Sequence, residues 1–348
     1  MPTQHNSPIY HEDAPQVDAA SVAILRKAGA LIFGEREDGQ RCEPERVDLI
    51  VVLPGKTATT EFAATTKGPK TCNPHDPSRT PGGSSSGSGA AVADMQVPLA
   101  LGTQTGGSTI RPGSYNGIYA MKPTWNAISR EGQKIYSLIL DTLGLYARSV
   151  EDLQLLAEVF ALKDDDGESK DDLHSSLRQD ESPLALHGAK FAFVKTMVWP
   201  QVGQGTADAM GQAMLLLQAH GATVEEVTLP SEFGELPKWH RTVLMSEGRV
   251  SFLPEYRRAK DLLSPYLIDQ VENVAGYSRK EQLEAFDGIA SLRPKIDDIL
   301  GQYAAIVTPS VPDEAPSGIE KTGSAAFNSI WTVCIDGGNC VYLFRLIY

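Results

Sequence analysis

The chain is short of positive charge: 31 lysines and arginines stand against 44 aspartates and glutamates, a formal net charge of −13. A surface that neutralises phosphates needs a local Lys/Arg excess, and no basic run supplies one, so a nucleic-acid partner is not expected. Long apolar runs are also missing. No stretch approaches the ~20 consecutive apolar residues of a membrane-spanning helix, and the opening Met1-Pro-Thr-Gln-His-Asn-Ser-Pro8 has neither the basic nor the apolar region of a secretory signal. Cysteine is sparse. Cys42, Cys72, Cys334 and Cys340 form no short-spaced pair for a metal and are too few for a disulfide scaffold, which points to free thiols in a reducing, cytoplasmic setting. The seven histidines fall at no metal-ligand spacing, and His75 reads as a loop residue.

What is present is enough for a sizeable core: 348 residues, 41% hydrophobic. Apolar positions from Val17 to Ile32 recur at three- and four-residue spacing and predict a helix running toward Gly29 and a short strand. The β-branched run Asp48–Leu53 predicts a strand closed by Pro54-Gly55, and Glu35–Glu45 is charged without an apolar face. From Lys70 to Gly89 the chain is Pro, Ser, Thr, Asn and Gly, hence loop. Its length makes a purely connective role unexpected. Ala90–Ala100 reads as a buried helix of small residues, followed by a strand at Leu99–Leu101. Beyond it come a helix from Val150 to Phe160, an acidic solvated loop over Lys163–Pro183, and a βαβ-like unit over Lys190–Lys195, Ala207–His220 and Thr223–Leu229. A mostly helical stretch over 238–302 and a strand at Ala304–Thr308 close the pattern, which is that of an α/β protein.

Two glycine-serine clusters stand out, Pro81-Gly-Gly-Ser-Ser-Ser-Gly-Ser-Gly-Ala-Ala-Val-Ala93 and Gly102-Thr-Gln-Thr-Gly-Gly-Ser-Thr-Ile-Arg-Pro112. Such segments are commonly linkers, but each abuts a hydrophobic element here. Glycines that let main-chain N–H groups approach a ligand, with a hydroxyl ending the run, meet the needs of an oxyanion hole. Thr105, Gly106, Gly107 and Ser108 supply such N–H groups, and the Ser108 hydroxyl a nucleophile.

The two clusters together resemble the signature of the amidase-signature family of serine hydrolases, in which the bridging serine and the nucleophile lie 24 positions apart, as Ser84 and Ser108 do. Gly55–Phe62, Asn73–Thr80, Met121-Lys-Pro-Thr124, Asp141-Thr-Leu-Gly144 and Ala147–Asp152 extend the match. The resemblance implies a central mixed β-sheet sandwiched between helices, with the helical 238–302 region over the cleft. It implies Ser108 as nucleophile, Ser84 as a bridging serine preceded by a cis peptide bond, and Ser85 and Arg111 supporting the loops. It implies hydrolysis of a small carboxylic amide through an acyl-enzyme, with no metal and no cofactor. Gln104 replaces the family's common Asp and Ser86 its common Gly.

The same resemblance exposes a gap. A serine hydroxyl needs a base, which in this family is a buried lysine whose pKa must fall from about 10.4 toward roughly 7–8. It lies well over sixty positions before the bridging serine, yet residues 1–26 contain no lysine. Gly29–Gly34 continues in the family straight into a Gly-Lys-Thr-like segment, so 35–55 reads as an insertion that displaces the expected lysine upstream of Met1. Lys56 and Lys122 match family positions distinct from the base. The sequence thus predicts one amidase domain over 1–333, an insertion at 35–55 and an aberrant tail at 334–348, with impaired activity. Two rival motifs fail. Gly83-Ser-Ser-Ser-Gly87 has the nucleophile-elbow pattern but follows a proline-rich loop instead of a buried strand, and the phosphate-loop reading of 48–57 needs glycine where Ile50 stands.

Overall fold

The computed structural model describes residues 3–11, 13–33, 52–54, 57–65, 67–68, 70–161 and 186–334. The charged segment 35–45, the acidic stretch 163–183 and the tail from 335 onward lie outside them.

Helix α1 (Ala20–Lys27) turns through Gly29 into strand β1 (Leu31–Phe33), which pairs in parallel with β2 (Val52–Pro54), Leu31 opposite Val52. Helix α2 (Ser86–Ala93) leads into β3 (Leu99–Gln104), and α3 (Ile110–Tyr115) into β4 (Tyr119–Met121) and β5 (Thr142–Ala147). These strands form an antiparallel sheet in the order β3-β5-β4, with Gly102 opposite Gly144. Its core holds Leu25, Leu99, Leu145, Leu153 and Leu156, the last two from α4 (Val150–Phe160), whose N-terminus is capped by the Ser149 side chain accepting the Asp152 N–H.

Strand β6 (Lys190–Lys195), helix α5 (Gln204–Ala219) and β7 (Thr223–Thr228) form the expected βαβ unit, and β8 (Ala305–Val307) adds to β6 to give a parallel sheet ordered β7-β6-β8. The predicted helical region resolves into α6 (Leu236–Ser251), α7 (Leu253–Ala259), α8 (Pro265–Glu272) and α9 (Arg279–Leu300). Helix α10 (Ala326–Cys334) follows, and Phe327, Ile330 and Trp331 pack into one core with Phe233, Val243, Ile289 and Leu292. The result is an α/β architecture in which parallel and antiparallel strands coexist among helices.

The sequence pattern misplaces one element that matters. The small-residue helix begins at Ser86, inside the glycine-serine cluster, and ends at Ala93. Serine and glycine are weak helix formers in isolation, but close packing overrides propensity. A Cβ added at Gly89 would lie 3.0 Å from Asn116 Nδ2 and 3.1 Å from Pro112 Cβ, so α2 and α3 approach over a side-chain-free surface. The bridging loop therefore sits at the head of a buried helix. The N-terminal segment is tied down too: the Tyr10 hydroxyl donates to Glu255 Oε1 at 2.7 Å, and Lys134 pairs with the same oxygen at 2.8 Å. Among the described residues no helix is long and apolar enough to cross a membrane.

Candidate active site

The two glycine loops meet at the entrance of α2 and α3. The Gly83–Ser84 peptide bond is cis. Ser85 closes the gap to the second loop: its N–H donates to the Ser108 carbonyl at 3.4 Å, and its hydroxyl accepts the Thr103 N–H at 3.1 Å. The Ser86 hydroxyl donates to the Gly82 carbonyl at 2.8 Å, which suits a serine where the family commonly has glycine.

Arg111 binds the loops from below. It is buried, donates from Nε to the Gly83 carbonyl at 3.1 Å, adds a second bond from Nη2 to the same oxygen, and reaches the Gly323 carbonyl from Nη1 at 2.8 Å. Burial draws its pKa down to about 10, so the guanidinium stays charged at neutral pH.

Gln104, at the position where the family commonly has aspartate, holds the start of α3. Its Oε1 accepts the N–H groups of Thr109 and Ile110, both at 3.0 Å, at the start of α3. The amide also does what a carboxylate cannot: Nε2 donates to Thr332 Oγ1 at 3.1 Å.

Between Gln104 and Thr109 the carbonyls are held one after another. Thr105 C=O accepts from His240 Nε2 at 2.9 Å, Gly106 C=O from the Thr332 hydroxyl at 2.8 Å, and Gly107 C=O from the Arg111 N–H at 3.0 Å. Ser108 C=O accepts from Ser85 N–H and from the Tyr146 hydroxyl at 3.2 Å. Among the described residues the N–H groups of Gly106, Gly107 and Ser108 donate no hydrogen bond. Glycine is needed at 107 for space, because a Cβ there would lie 2.9 Å from Ala325 Cβ and 3.0 Å from Asn328 Cβ.

Thr105 is gripped a second time. Its hydroxyl donates to Asp141 Oδ1 at 2.6 Å, while Oδ2 accepts the Tyr136 N–H at 2.7 Å. Burial raises the Asp141 pKa to about 6 against the pull of the Thr105 hydroxyl. His240 is likewise buried, and desolvation holds its pKa below the usual histidine value, so the ring is neutral at pH 7. A carbonyl only accepts, which assigns the ring proton to Nε2.

Ser108 is half-buried at the surface of this arrangement. Ser84 is 3% exposed, and among the described residues its hydroxyl has no hydrogen-bond partner, neither the Ser108 hydroxyl nor a lysine. Lys122 is buried, with Nζ donating to the Pro123 carbonyl at 2.9 Å. The polar loop before Ser84 is fixed by side chains: Asn73 Nδ2 donates to the Tyr115 carbonyl at 2.6 Å, His75 Nε2 bonds the Asn116 carbonyl at 2.9 Å, and Arg79 Nη1 reaches the Ala315 carbonyl at 2.5 Å. Among the described residues no cluster of His, Cys, Asp or Glu could hold a metal.

Asp141, His240 and Thr332 hold the loop at Thr105 and Gly106, and sequence patterns mark only the first of them. Asp141 lies within a matched motif and carries a signal of its own. His240 and Thr332 stand 135 and 226 positions from their loop partners, Thr105 and Gly106, and no local pattern marks them.

The family model described as Amidase matches residues 51–341. The chain is 34% identical to the A-subunit of the glutamyl-tRNA(Gln) amidotransferase from Carboxydothermus hydrogenoformans, over 96% of this chain and 71% of that protein. It is 36% identical to the corresponding protein of Microcystis aeruginosa over 56% of this chain, a match spanning 41% of that relative's length. The crystal structure of the Thermotoga maritima A-subunit superposes with a TM-score of 0.76 at 25% identity, covering 96% of this chain and 71% of that one. By the family model and these relatives, this chain belongs to the amidase family.

Proposed function

We propose that the chain is built to hydrolyse a small carboxylic amide through an acyl-enzyme on Ser108. The observation that carries this reading is the loop 105–108: its carbonyls are held by His240, Thr332, Arg111 and Ser85, and the N–H groups of Gly106, Gly107 and Ser108 are unpaired among the described residues, beside a half-exposed hydroxyl. Donors fixed before reaction stabilise charge developing on a carbonyl oxygen, and losing one in a hydrolase costs about 10²–10³ in rate. In this reading Ser108 Oγ attacks the carbonyl carbon and its proton passes through Ser84 to a base. The C–N bond then breaks as the leaving nitrogen takes up a proton, and water releases the acid from Ser108. Ser85 and Arg111 hold the two loops in register.

The base is the weak link. The Ser84 hydroxyl, where a lysine should accept the proton, has no partner among the described residues. A hydrolase lacking one member of its triad retains about 10³–10⁴-fold acceleration from its oxyanion hole and binding. With Ser84 unpartnered among the described residues, turnover is therefore expected to be slow. That same unpartnered hydroxyl favours, as a second reading, an amidase-like fold that binds amides without turning them over. Residues 1–333 are read as one domain.

A serine-directed fluorophosphonate probe separates the two readings. Mass-spectrometric labelling of the peptide carrying Ser108, abolished by Ser108→Ala, is expected for a reactive serine. A parent chain that takes up no label, or a Ser108→Ala variant labelled like the parent, would defeat the nucleophile assignment.

A further inference from the structure

The Gly106 N–H can stabilise an oxyanion only if something aims it. A peptide unit is planar and trans by default, so the N–H of one residue points opposite to the carbonyl of the residue before it. Whatever fixes the Thr105 carbonyl also fixes the Gly106 N–H. Here that carbonyl accepts from His240 Nε2 at 2.9 Å, across 135 positions of sequence.

Three further observations make this more than a passing contact. His240 lies 7% exposed within α6, a helix locked to the same region by Ser137 donating to Glu247 and Ser251 donating to the Ile135 carbonyl. The ring rests directly on the loop, since a Cβ added at Gly106 would lie 3.3 Å from His240 Cε1 and 3.4 Å from Nε2. A second polar group of Thr105, its hydroxyl, is independently bonded to Asp141. Loss of the histidine bond would thus leave Thr105 tethered while freeing the rotation of the one peptide plane that carries the Gly106 donor.

We infer that His240 is a positioning residue of the oxyanion loop: through the Thr105 carbonyl it sets the direction of the Gly106 N–H toward the carbonyl oxygen of the substrate. This rests on the reading of Ser108 as nucleophile. A donor turned away by tens of degrees contributes little, because hydrogen bonds weaken steeply with angle.

The test is the rate at which the fluorophosphonate labels Ser108 in the parent chain, His240→Leu and His240→Gln, with Ser108→Ala as control. The phosphonyl oxygen occupies the oxyanion position as the Ser108 Oγ–P bond forms, fluoride leaves and the hydroxyl proton passes by way of Ser84 to solvent. Labelling of His240→Leu is expected to be slower by about tenfold or more, and His240→Gln, which restores a side-chain N–H, is expected to recover most of that rate. Thermal melting of both variants runs alongside, and a packing role alone would slow them in step with their melting midpoints. Equal rates in the parent and His240→Leu, or no recovery in a folded His240→Gln, would overturn the inference. Should His240→Leu not fold, the rate of folded His240→Gln against His240→Asn, whose shorter amide does not reach Thr105, decides the same question: equal rates overturn it. Label that survives Ser108→Ala, or that never forms, removes the nucleophile reading itself and this inference with it.

Discussion

The guanidinium of Arg111 and the carbonyl of Gly83 join the two glycine loops of this protein, with Nε 3.1 Å from the oxygen and Nη2 bonded to the same atom. The charge has carbonyls for partners, and Gly323 supplies the other. Arg111→Met should therefore strand one buried and one part-buried acceptor at about 1–3 kcal/mol each, partly offset by no longer burying a charge. The expected loss is roughly 2–4 kcal/mol in urea denaturation. Arg111→Lys is expected to recover little, because an ammonium cannot reproduce the planar fork.

Ser84 invites the opposite outcome. Its hydroxyl is buried and without a partner among the described residues, so removing it should not weaken the fold. Ser84→Ala is expected to melt at or slightly above the parent temperature and to label at Ser108 at least about tenfold more slowly. A lower midpoint with unchanged labelling would show a structural serine.

Asp141 supplies a pH signature. Its folded pKa of about 6 lies above the ordinary aspartate value, so between about pH 4 and 6 the native state holds a proton that the unfolded chain has released. Stability then falls as pH rises through that window, by about 3 kcal/mol once pH exceeds about 6. Urea midpoints of the parent and Asp141→Asn across that range report this group alone. The parent should lose ground to the variant as pH rises, and a constant difference would count against it.

Gly107 tests the packing behind the loop. Asn328 is anchored by Nδ2 donating to the Ser310 carbonyl at 2.7 Å and cannot retreat from a new methyl group. Gly107→Ala is expected to destabilise by about 1–3 kcal/mol, measurable by chemical denaturation.

Much of the fold is legible in the sequence because its elements carry strong periods. Val150–Phe160 and the βαβ unit from Lys190 follow from apolar spacing alone. Strand β5 escapes because Thr142–Ala147 is buried on both faces and shows no alternation. Helix α2 starts earlier than its composition suggests, since its glycines and serines serve close packing instead of helix propensity. At the site, the glycine-serine clusters are visible as written because backbone geometry is local. Their anchors are not: His240, Thr332 and Gly323 come from elements more than a hundred residues away, and Gln104 reads as a departure until its two-sided amide is seen bridging α3 and α10.

The stretch before Ser84 has the composition of a floppy tether, yet Asn73, His75 and Arg79 each clasp a main-chain oxygen on a distant element. A stretch fastened in this way is part of the scaffold that carries the Ser84 loop. Exchanging Asn73, His75 or Arg79 would then loosen the support of the Ser84 loop from a distance, without touching either serine.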